Sequence, residues 1–359
     1  MSFSVEDLRA AVAAGILSEA QAASVTALAN DRAGKRAGLP AEDEPFEFFR
    51  GFSEIFISIG LFILLVSIVF LMMFIGSGIL LSAVPLITAI VAWWLAGYFT
   101  LRRRMTLPSM LLATAFGVGL LSCVFTLLAP EFADRRVVAI LGFGLATLGM
   151  IGWYLRFRLP FAAFLTGFSA LGLIYSVTAT AENMAGVVAN GMFGDTGIES
   201  FFDLAESPVF ATATLLFGVG AFLVGMWFDT RDPYRLGRHS ATAFWCHLLA
   251  APALVNTVAI TLMNGAGTWL LAVALVFVTL LALVIDRRSF LTAAIIYFAI
   301  VISWMMGEGR GITPILVLLV LGSFIVAIGT WWIQLRAAIM RTLPDFPGKS
   351  RLPPYESTE

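Results

Sequence analysis

The stretch ILLSAVPLITAIVAWWLAGYFTLRRR, residues 79–104, decides the fold class: 23 residues without a single charge run straight into three consecutive arginines. At 1.5 Å per helical residue such a run reaches about 35 Å, more than the roughly 30 Å of hydrocarbon in a bilayer. Comparable apolar segments recur at 55–75, 108–129, 136–155, 160–180, 209–228, 240–262, 268–285, 290–306 and 312–335, which with 79–101 makes ten. The chain is 60% hydrophobic and 13% charged, about half the charge of an ordinary soluble domain. Lipid offers no partner to a bare backbone group, so segments of this length are expected as helices; a barrel would show short alternating strands instead. The expected fold is therefore all-α, a polytopic integral membrane bundle of about ten transmembrane helices.

The charges orient it. Arg102, Arg103 and Arg104 share alternate gaps with Arg9, Arg32, Lys35, Arg36, Arg50, Arg156, Arg158, Arg231, Arg235, Arg238, Arg287, Arg288, Arg336, Arg341, Lys349 and Arg351, which is 19 of the 22 basic residues. Only Arg135, Arg136 and Arg310 fall in the intervening gaps. Cationic loops resist translocation, so both termini are expected in the cytoplasm. The first 30 residues hold acids and precede any apolar run, which predicts no cleavable signal peptide. Cationic side chains scattered over six segments form no nucleic-acid patch; membrane lipid is the expected partner of the basic loops.

Ahead of the apolar segments, Ser4 with Asp7 and Ser18 with Gln21 are helix-start signals, and Gly15 suits a left-handed stop between them. Residues 1–30 read as a cytoplasmic helical hairpin, 31–54 as a linker and interfacial segment, 55–335 as the bundle, and 336–359, with four prolines, as a disordered tail. A hairpin of this size cannot bury enough apolar surface to stand alone. Through residues 4–30 it is expected to dock on a second copy or on a cytoplasmic protein.

The pattern DLRAAVAAGILSEAQAASVTALA at 7–29, followed by EPFEFFRGFSEIFISIG at 44–60, resembles the amino-terminal part of an uncharacterised, domain-of-unknown-function family of bacterial multi-pass membrane proteins with a short cytoplasmic helical hairpin. The resemblance covers roughly the first 75 residues. It implies a location in the bacterial inner membrane and brings no activity with it.

Ionisable groups deep in a bilayer are the first place to look for function. The acidic residues fall in loops, tails or helix ends, which counts against a pump with a carboxylate at its centre. His247 is the exception, nine residues past Arg238 and so about 13 Å along a regular helix. Pro252 frees the carbonyl of Leu248 next to it. His247, Pro252 and Asn256, with Tyr297 from a neighbouring segment, are the candidate cavity-lining set; a histidine bonded across helices for packing is the competing reading. On the other face Asp195, Glu199 and Asp203 repeat every four residues as an acidic cluster, and Ile198, Phe201 and Phe202 between them favour an amphipathic surface helix over a cation site. Cys123 and Cys246 sit in different segments and predict no disulfide framework. No metal-ligand set, phosphate loop, dinucleotide fingerprint or Ser-His-Asp arrangement is present, so neither a cofactor nor an enzyme is expected.

Two function classes lead. One is a transport-like protein for an apolar or amphipathic solute, because a bundle with interior prolines and a buried histidine can host a cavity without buried acids. The other is a non-transporting scaffold or sensor acting through the amino-terminal hairpin. The orientation is directly testable: in a background lacking Cys123 and Cys246, cysteines placed at Ser200 and Ser350 should label from opposite sides of the membrane. Labelling of both from one side would refute the even helix count.

Overall fold

A computed structural model describes residues 5–17, 21, 25, 52–76, 79–180, 204, 207–231, 238–265, 268–287, 290, 313–345, 349 and 352. Every regular element among them is helical. They are α1 (Val5–Ala13), α2 (Phe52–Ile75), α3 (Ile79–Ala96) continuing as a π-helical turn (Gly97–Arg102), α4 (Thr106–Leu128), α5 (Arg135–Phe157), α6 (Phe161–Thr178), α7 (Pro208–Asp229), α8 (Arg238–Gly265), α9 (Thr268–Ile285), α10 (Thr313–Thr330) and α11 (Trp332–Thr342). Seven of the described helices, α2 through α8, are long and apolar enough to cross a membrane. They lie over the first seven of the ten expected segments. Helices α9 and α10 follow over the eighth and tenth, and the ninth, apart from Phe290, lies outside the described residues.

Sequential helices pack as antiparallel pairs: α3 with α4, α5 with α6, and α7 with α8. The first core lies among α2 to α5, where Leu61, Ala92, Ala96, Leu112, Ala113, Met150 and Trp153 are buried. The second joins α8, α9, α10 and α11 through Ala250, Ala251, Val255, Ala282, Leu283, Ile328 and Trp332. Small residues let the backbones meet. At Gly119 a Cβ would lie 2.8 Å from the Pro85 carbonyl oxygen, so the α3–α4 contact requires glycine there. Cys123 and Cys246 are free and buried.

The expected left-handed stop is present: Gly15 has φ +71°. The amides of Gly15 and Ile16 return to the carbonyls of Val12 and Ala11, the two bonds that close a helix C-terminus around a left-handed residue. Of the second hairpin helix only Gln21 and Val25 are described.

Two helix ends are closed by side chains from other helices. The amino terminus of α4 has four backbone groups that no turn of its own helix can satisfy. Its N-cap, Met105, supplies no side-chain bond, but the Met105 amide donates to the carbonyl of Phe99 at 3.1 Å. Thr106 and Leu107 both donate to Glu54 Oε2 at 3.1 Å, and Pro108 has no N–H to satisfy. All four positions are thereby met, with a carboxylate at the positive end of the helix dipole. At the far end of the bundle Arg136 donates to the carbonyls of Ser176 at 3.2 Å and Val177 at 2.6 Å, closing the carboxyl end of α6. Arg135 donates to the carbonyl of Ala129. Two of the three arginines that depart from the charge alternation thus have structural work at helix ends.

The last helix departs from the expected domain boundaries. The chain bends at Trp331 and stays helical to Thr342, crossing the point at 336 where a disordered tail was expected. Trp332, Arg336 and Met340 are buried on its inner face, and Leu352 beyond it is buried as well. The reason is polar: Trp332 Nε1 donates to Asp286 Oδ1 at 2.7 Å, and Arg336 Nε lies 3.7 Å from the same oxygen. Composition marks this segment as polar without revealing that its buried arginine has a partner on the α9 turn.

Glu54→Ala should leave two α4 amides unpaired in a buried site and lower bundle stability by about 2 kcal/mol, while Glu54→Gln, which keeps an acceptor, should cost about half as much. Chemical or thermal unfolding in detergent measures both, and equal stability of all three proteins would remove Glu54 from its capping role.

Candidate functional site

Asp229, Arg287 and His247 meet where α7 ends, α8 passes and α9 turns. Asp229 closes α7, and its carboxylate is the hub. Its Oδ2 accepts from His247 Nε2 at 2.9 Å and from Arg287 Nε at 3.1 Å, and its Oδ1 accepts from Arg287 Nη2. The guanidinium therefore grips both oxygens in the forked geometry that arginine is shaped for. Arg287 Nη2 also donates to the carbonyl of Ser240 on α8 at 3.1 Å. His247 and Arg287 are 0% exposed and Asp229 is 6% exposed.

The imidazole is held from every described side. The ring of Phe222 on α7 crosses it edge-on at 5.5 Å, and Phe290 lies at 5.9 Å. Gly225, one turn before Asp229, is the floor: a Cβ there would lie 2.8 Å from the ring, so the histidine fits only over glycine. An ionised carboxylate only accepts hydrogen bonds, so the Nε2 facing Asp229 carries a proton. Cys246, next along α8, is the other titratable group of that helix beside the cluster.

How Arg287 reaches this place follows from the residue before it. Asp286 has φ 57°, the left-handed conformation that aspartate adopts more readily than most side chains. The amides of Asp286 and Arg287 return to Leu283 and Ala282, ending α9 as glycine would end it. Arg287 then turns to α7 and α8, while the Asp286 carboxylate turns to Trp332 and Arg336 on α11. Two consecutive residues thus anchor two different sets of helices.

Of the candidate residues read from the sequence, His247 lies in this cluster, fully buried in a packed seam. Pro252 and Asn256, farther along α8, are half-buried. Tyr297, Asp195, Glu199 and Asp203 lie outside the described residues. Asp229 and Arg287 escaped the sequence reading because each sits at a helix end and passes for a loop charge. The available signal was the position of Asp229 directly after an apolar run, with no polar residue before it to carry it into water.

The class of protein this defines is an all-helical bundle with membrane-length helices, closed at its arginine-bearing end by a buried aspartate–arginine–histidine cluster. No protein-family model, curated protein or solved structure matches the chain.

Removing one member of a buried ion pair strands the other. Asp229→Ala and Arg287→Ala should each cost about 3–5 kcal/mol of bundle stability, and the double variant Asp229→Leu/Arg287→Met should cost less than either. A thermal-unfolding series in detergent checks this, and additive losses would mean that the two groups do not depend on each other.

Proposed function

We propose that the chain is a ten-helix protein of the bacterial inner membrane, both termini cytoplasmic, that acts as a transport-like protein for an apolar or amphipathic solute and opens in response to protons. The observation that supports this reading is the enclosure of His247 against the Asp229–Arg287 pair. With a neutral imidazole the three side chains sum to zero charge, which a buried seam tolerates. A second proton on the ring leaves a net +1 in the same space.

Uncompensated buried charge is costly, so protonation favours an arrangement in which the seam between α7, α8 and the turn after α9 admits water. Histidine is the side chain whose ordinary titration spans pH 5 to 8. The two states differ in how many protons they bind, as a proton-driven population shift requires. The charged groups facing the histidine are Asp229 from α7 and Arg287 from the α9 turn, and the Cys246 thiol beside it is neutral. The apolar walls around the cluster suit an apolar or amphipathic solute better than a hydrophilic ion.

A second reading, a scaffold or sensor working through residues 4–30, draws support from the hairpin turn, where Ile16 is 75% exposed. The two readings part on a single comparison. Hydrogen exchange of residues 225–231 and 240–250, followed in the wild type and in His247→Gln at the same pH so that intrinsic exchange cancels, should agree at pH 8 and be faster in the wild type at pH 5. Uptake of amphipathic dyes into reconstituted vesicles should lose its acid dependence in the same variant and keep it when residues 1–30 are removed. Identical exchange in the two proteins at pH 5 would overturn the proton-responsive reading, and loss of the pH response on removal of the hairpin would favour the scaffold.

A further inference from the structure

A second feature at the arginine-bearing end belongs to neither the cluster nor the hairpin. The π-helical turn Gly97–Arg102, a rare backbone form that recurs at functional sites, borders a hollow of about 690 Å³ whose lining includes Trp94, Gly97, Tyr98, Leu101, Arg102 and, from α5, Arg156. Among the described residues, none that lines it is acidic. Arg102 and Arg156 are exposed, and among the described residues neither has a carboxylate partner.

The tyrosine is positioned from the side. Arg103 Nε donates to Tyr98 Oη at 2.9 Å, and its guanidinium lies 5.6 Å from the ring centre. The approach is apolar. Leu86, Ile90 and Trp94 follow one another at intervals of four along α3, and all three are exposed, Trp94 at 77%. That spacing makes one continuous stripe along the helix face, leading to the hollow.

We propose that this hollow binds the headgroup of an anionic glycerophospholipid, with its phosphate between Arg102 and Arg156 and an acyl chain along Leu86, Ile90 and Trp94. The charge is complementary, since two guanidinium groups with no acidic partner among the described residues meet one phosphodiester, and arginine recognises phosphate through paired N–H donors. The amphipathic walls are complementary too: tryptophan and tyrosine favour the boundary where hydrocarbon gives way to headgroups. A soluble anion would use the arginines but leave the apolar stripe uncovered, and a zwitterionic lipid would cover the stripe but carry its own cation to the arginines. The proposal rests on the membrane-spanning reading of the bundle and is independent of the pH response.

The test uses the full chain in detergent, titrated with phosphatidylglycerol or phosphatidylcholine and followed by native mass spectrometry. Phosphatidylglycerol should occupy one saturable site and phosphatidylcholine should not. Arg102→Ala/Arg156→Ala should weaken phosphatidylglycerol about 30-fold, the effect of removing two arginines that face a charged headgroup. Gly97→Leu should weaken it as well with both charges intact, because a Cβ at Gly97 meets no protein atom within 4 Å and the added side chain would enter the hollow. Arg341→Ala, at an exposed position on α11, should leave binding unchanged. Equal binding of the two lipids, equal loss in Arg341→Ala, full binding in Gly97→Leu, or displacement of phosphatidylglycerol by millimolar inorganic phosphate would each overturn the assignment.

Discussion

Hydrocarbon supplies no donor or acceptor, and helices long and apolar enough to cross it, as seven of the described helices are, must meet that constraint within the protein. A helix satisfies its own interior but leaves four amides and four carbonyls open at its ends. In this chain two of the ends are closed by side chains of other helices: Glu54 reaches from α2 to the start of α4, and Arg136 from α5 to the finish of α6. Charged residues that hydropathy treats as boundary markers therefore work as struts. The helix ends and the inter-helix contacts are one set of interactions.

The Asp229–Arg287–His247 cluster follows the same logic at a higher cost. Each charge loses its hydration on burial, and mutual attraction offsets this only when the geometry is good and the remaining donors find partners. The forked contact satisfies the carboxylate, and the Ser240 carbonyl takes a further guanidinium N–H. Such a site contributes little net stability compared with a well-packed apolar core. On the proposed function, what it contributes is sensitivity, because its balance holds for one protonation state. The phenylalanine walls and the glycine floor hold the imidazole against the pair.

Much of this fold was legible in the sequence, because apolar run length reports directly on helices in lipid. The first seven segments overlie seven helices, and Gly15 adopts the left-handed conformation its position suggested. The site was legible only in part. His247 announced itself as an ionisable residue well inside an apolar run, whereas Asp229 and Arg287 stand 58 residues apart, each at an end where charges are ordinary. One-dimensional patterning records how far a residue lies from the nearest loop; it does not record which helix leans over that loop. The carboxyl-terminal boundary failed for the same reason, since Arg336 reads as a tail charge until Asp286 is seen beside it.

The 58-residue separation of Asp229 and Arg287 also bears on how the protein is made. Synthesis proceeds at about 5–20 residues per second, so roughly 3–12 seconds separate Asp229 from the arginine that completes its cluster, and roughly 2–8 seconds separate His247 from it. Until that arginine is made, the aspartate has at most the histidine as a partner within the cluster. A chain truncated before Arg287 would stay in that state permanently. The same atoms that close the finished protein are thus left incompletely paired in an unfinished one.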